Sequence, residues 1–68
     1  MTVKTKMEET ITSAESVLAN LKTFALETQN PEAKQMFKSL AKSQQGITDT
    51  LNSRLEFIKN EEPQFRGQ

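Results

Sequence analysis

The chain has 68 residues, which bounds it to one small domain, and a domain of that size buries only about 60% of its unfolded surface. With 34% hydrophobic residues, no Trp, no Tyr and no Cys, its core is thin and no disulfide or thiolate metal site reinforces it, so self-association is the common remedy left. Nine Lys and Arg balance nine Asp and Glu; that removes the basic excess typical of nucleic-acid binders, and the signs alternate as on solvated helix faces.

The first residues, through Glu9, contain no apolar block. A secretory signal needs about 7–15 consecutive apolar residues and a membrane span about 20. The expectation is an unexported cytoplasmic protein with no transmembrane segment.

A first helix is predicted over about residues 3–28, roughly 38 Å at 1.5 Å per residue. Met7, Ile11, Ala14, Leu18, Leu21 and Ala25 recur in steps of four and three, the spacing of a helix–helix seam. Val3, Val17 and Phe24 widen the stripe to three positions in seven, a width suited to a bundle. Two starts are compatible with this pattern. Thr5 and Glu8 have capping-box spacing, while Val3 fits the stripe and argues for an earlier start.

The break follows at Gln29-Asn30. Asn30 reads as an N-cap, its side chain free to accept from a helix N–H, and Pro31 as a first helical residue that has no N–H to leave unpaired. A second helix is predicted over 31–60, roughly 45 Å long. Its seam reads Ala33, Phe37, Leu40, Gln44, Ile47, Leu51, Arg54 and Ile58, flanked by Met36, Ala41, Leu55 and Phe57. Gly46 interrupts it at about 1 kcal/mol relative to Ala, yet the period resumes in phase. Pro63 stops the helix and leaves residues 61–68 as a tail.

A connection this short forces the helices antiparallel. The expected fold is therefore all-α, a single antiparallel two-helix hairpin over 1–68. Two helices cannot enclose stripes three positions wide. Either two hairpins pair into a four-helix bundle, as an isologous homodimer, or a partner helix covers the remainder. The expected core and self-association set is Ile11, Leu18, Leu21, Phe24, Phe37, Leu40, Ile47, Leu51, Leu55 and Ile58. Met7 and Met36, with Phe24 and Phe37, could form an adaptable peptide surface, but at helical spacing they read as ordinary core.

Chemistry is poorly provided for. There is no His, so the Glu-x-x-His pair of a di-iron bundle cannot form, and no Cys or His stands ready to activate Ser or Thr. The expectation is a non-enzyme with no cofactor and no metal. Lys34, Lys38 and Lys42 make a basic ridge that reads either as a contact for an acidic partner or anionic headgroups, or as a solvated face beside Glu27 and Glu32. Phe57 and Phe65 near the open end are further candidates for a partner or membrane contact. Arg54 and Gln44 are polar at seam positions, where such residues can specify register and oligomeric state. Glu8 is the expected partner of Arg54, unless Arg54 snorkels to water at a splayed end, and Gln44 is expected to bond its symmetry mate.

Phe24-Ala25-Leu26-Glu27-Thr28-Gln29, Arg54 before a final apolar turn, and the ending Glu61-Glu62-Pro63-Gln64-Phe65 together resemble the domain-of-unknown-function family numbered 1657, small helical proteins of endospore-forming Gram-positive bacteria. The resemblance spans essentially the whole chain and brings no catalytic residues. It implies a spore context, in the spore core or at the inner face of the spore membrane, with a spore membrane protein as partner. The functional reading is a structural or adaptor module in sporulation or spore germination. The alternative is a peripheral membrane-associated regulator that uses the basic ridge or an exposed apolar stripe.

Overall fold

The structure, a computed structural model, describes residues 2–61. Two helices, α1 (Val3–Glu27) and α2 (Pro31–Asn60), pack against each other as a hairpin. Its Cα atoms span 52 × 17 × 11 Å, a single layer two helices wide.

The local chemistry explains each boundary. Thr2 caps α1: its hydroxyl oxygen accepts from the Thr5 N–H at 3.1 Å, which decides for the early start and against a box opening at Thr5. At the other end Thr28 turns extended (φ −71°, ψ 141°), so α1 stops one residue before the expected limit. Its N–H still donates to the Phe24 carbonyl at 3.0 Å. Asn30 then caps α2 through a 2.9 Å bond from the Ala33 N–H to its Oδ1, with Pro31 beginning the helix as predicted. Lys34 ties the two ends together. Its Nζ donates at 2.6 Å to the Ala25 carbonyl, one of the α1 oxygens left without a helical partner.

On α1 the seam is the predicted one: Ile11, Ala14, Leu18 and Ala25 are buried, while Met7 and Leu21 are half-buried. On α2 the seam is rotated by one residue. Phe37, Gln44, Leu51 and Ile58 lie in it as expected, but the positions between them are Ala41, Thr48 and Leu55. Leu40 and Ile47, assigned to the seam from the sequence, are 44% and 53% exposed, and Arg54 is exposed as well. Phe24, also assigned to the core, keeps about half its surface open, although its ring lies 5.2 Å from that of Phe37. Size explains the shift. Ala14 and Ala25 on one helix, with Ala41 and Thr48 on the other, let the backbones approach, whereas Leu40 and Ile47 would hold them apart. Thr48, only 3% exposed, is the one buried polar residue among those described.

Candidate functional site

The rotation of α2 gives the hairpin two unlike faces. Val17, Phe24, Leu40, Ile47 and Arg54 each stand one residue before a seam position. In an antiparallel pair, a step of one residue back from the seam reaches the same side of the layer on both helices. That side carries Val3, Val17 and Phe24 from α1, with Met36, Leu40, Ile47 and Phe57 from α2. All seven are exposed. Among the described residues only three large apolar side chains, Ile11, Leu18 and Leu55, reach burial within the single hairpin. With Leu26, on the other side, eight large apolar side chains among the described residues are exposed against those three that are buried.

Polar residues on this face make few demands. The Thr10 hydroxyl donates to the Lys6 carbonyl at 2.8 Å, within its own helix, so it can be covered without losing a partner. Among the described residues the cations on this face are Lys6 and Arg54, both toward the open end. Arg54 does not pair with Glu8 as expected, because the one-residue rotation carries it out of the seam. Its guanidinium lies over the Phe57 ring, 4.7 Å from the centroid. Gln44 is half-buried and turned inward, where its Nε2 donates to the Ala14 carbonyl at 3.5 Å and to the Thr48 hydroxyl at 3.4 Å. It is thus engaged inside one hairpin, where the sequence pointed to a symmetry mate. An open groove of about 600 Å³ runs beside Ile47 and Leu51, lined also by Ser43, Gly46 and Thr50.

The opposite face holds the lysines. Lys22, Leu26, Lys34 and Lys38 rim an open groove of about 430 Å³ floored by Ala25 and Ala41. Leu26 is 81% exposed among them. Lys34 is half-buried and bonded to Ala25, so the predicted ridge is part structural, while Lys38 and Lys42 are exposed. The sequence reading missed Lys22 and Leu26. Their signal was available, since each follows a seam residue of α1 by one, as Lys38 and Lys42 follow Phe37 and Ala41 on α2.

Among the described residues no three His, Cys, Asp or Glu side chains stand close enough to hold a metal ion. No described helix is long and apolar enough to cross a membrane. The ion pair between Lys59 and Glu56, at 3.9 Å, is exposed and contributes little. Phe65 lies outside the described residues.

A family model described as "Protein of unknown function (DUF1657)" matches residues 7–55, most of the chain and nearly the whole paired length of both helices. No curated protein and no solved structure matches.

Proposed function

The chain belongs to the DUF1657 family of proteins of unknown function, and we propose that it is a non-enzymatic module that works by helix–helix association, two hairpins closing into a homodimeric four-helix bundle. The observation that carries this reading is the exposed face of Val17, Phe24, Met36, Leu40, Ile47 and Phe57. Six large apolar side chains, each about half open, leave on the order of 500 Å² of apolar surface. A standard interface takes about 800 Å² from each partner, and homodimer interfaces are about 65% apolar, so the need and the supply agree. A second copy offers the same patch by symmetry, with no other component required.

The module's place in sporulation or spore germination, as a structural or adaptor element of the cytoplasm or spore core, rests on the resemblance in the hinge and C-terminal motifs. Immunoblotting of purified spores against vegetative cells tests that part; absence from spores would remove it. Mass measurement in solution tests the association: a dimer is expected at micromolar concentration.

A second reading is favoured by Leu26. An isolated, 81% exposed leucine ringed by Lys22, Lys34 and Lys38 has the composition of a peripheral contact with anionic headgroups. Co-sedimentation with vesicles containing phosphatidylglycerol, set against neutral vesicles, tests it. Equal or absent binding to the two sinks this reading and leaves the dimer untouched.

A further inference from the structure

The proposed dimer can be assembled in two ways, and the charges on its apolar face choose between them. Two hairpin layers stacked face to face on a twofold axis have their turns either at the same end or at opposite ends. We infer that the turns lie at opposite ends, with α2 packed on the partner's α2 about an axis level with Ile47. This rests on the self-association reading above and deepens it.

The heights of residues along the hairpin follow from contacts within it. Ala14 meets Gln44, Ala25 meets Lys34 and Phe24 meets Phe37. Counting outward from those pairs sets Ser13 about level with Ile47, Lys6 with Arg54, and Val3 with Phe57. In a same-end dimer α1 covers the partner's α2 at equal height. Each Lys6 then faces the partner's Arg54, twice per dimer, with no described carboxylate on that face at their height. Both arrangements bury the same side chains, so apolar area does not separate them. Two like-charged contacts do, each weakening association several-fold at low salt.

With opposite ends the conflict disappears. The exposed stripe of α2 (Met36, Leu40, Ser43, Ile47, Thr50, Arg54 and Phe57) is spaced in steps of four and three and matches its own reverse about Ile47 to within one residue. Met36 then meets the partner's Phe57, Leu40 packs along the aliphatic stem of the partner's Arg54, and Ile47 meets the partner's Ile47. On α1 the centre falls at Ser13, where Val3 meets the partner's Phe24 and Thr10 the partner's Val17. One axis serves both helices because Ser13 and Ile47 are level. Lys6 and Arg54 of one chain end up together at one end of the bundle, and those of the partner at the other.

The test is a distance between the two turns. Gln29 is exposed in the connection and can be replaced as Gln29→Cys and spin-labelled. From the turn to the axis is about 17 residues of helix, so opposite ends separate the labels by about 50 Å at 1.5 Å per residue. A same-end dimer brings them within about 10–20 Å, one helix-packing distance plus the labels. A long dipolar distance, together with a Lys6→Glu affinity within a few-fold of native, is the expected result. A short distance, or a tenfold tightening by Lys6→Glu through new pairs with the partner's Arg54, overturns the arrangement while the dimer stands. A monomeric sample in the same measurement overturns the self-association reading, and this inference with it.

Discussion

Replacing Leu40 and Ile47 together with Ser strikes the exposed face and spares the seam. Complete burial of a Leu or Ile is worth about 1.5–3 kcal/mol, and these two retain 44% and 53% of their exposure in the single hairpin. About half of each burial therefore remains to be gained on association, roughly 1 kcal/mol per side chain. Two side chains in each of two chains give about 4 kcal/mol, close to a thousandfold in the dimer dissociation constant. Sedimentation equilibrium across a concentration series reads that constant directly. Leu26→Ser is the matched control, because Leu26 is more exposed still but lies on the lysine face. The double variant should dissociate about a thousandfold more readily while Leu26→Ser stays native. A double variant within tenfold of native, or a Leu26→Ser variant weakened as much, would refute the assignment of the face.

Three further substitutions test the fold. Asn30→Ala removes the acceptor for the Ala33 N–H and should lower thermal stability by about 1 kcal/mol in calorimetry. Gly46→Ala should raise it by about 0.5–1 kcal/mol, since a Cβ there meets nothing within 4 Å and the helix gains rigidity; a loss would show that the site is packed. Ala41→Leu puts a large side chain into the close approach of the two helices and should cost about 1–3 kcal/mol. Stability equal to native in urea unfolding would show that the seam is not limited by size.

Much of this was legible in the residues, and the part that was not has a definite cause. On α1 the small and large apolar residues fall on one heptad track, so Met7 through Ala25 could be read directly. Asn30-Pro31 fixed the start of α2, because an N-cap followed by a residue without an N–H has few other uses. On α2 two tracks offset by one residue share Phe37, Gln44, Leu51 and Ile58. Hydrophobicity favours Leu40 over Ala41 and Ile47 over Thr48, and following it put Arg54 in the seam. The charge was the sign of the wrong track, as Leu55 stands beside it. The choice was made by backbone approach, which a hydrophobicity pattern does not register, and it released the two large aliphatic residues to the outer face. The lysine groove is legible only with the right α2 track in hand, because Lys22 and Leu26 join Lys34 and Lys38 across the hairpin.

The mass of the native chain in solution bears most directly on the central claim. Light scattering at micromolar concentration should return twice the 7.7 kDa of the single chain, with helicity by circular dichroism matching the 25 and 30 residues of α1 and α2. A fully helical monomer under those conditions would contradict the account, for it would mean that the face of Val17, Phe24, Met36, Leu40, Ile47 and Phe57 needs no second copy.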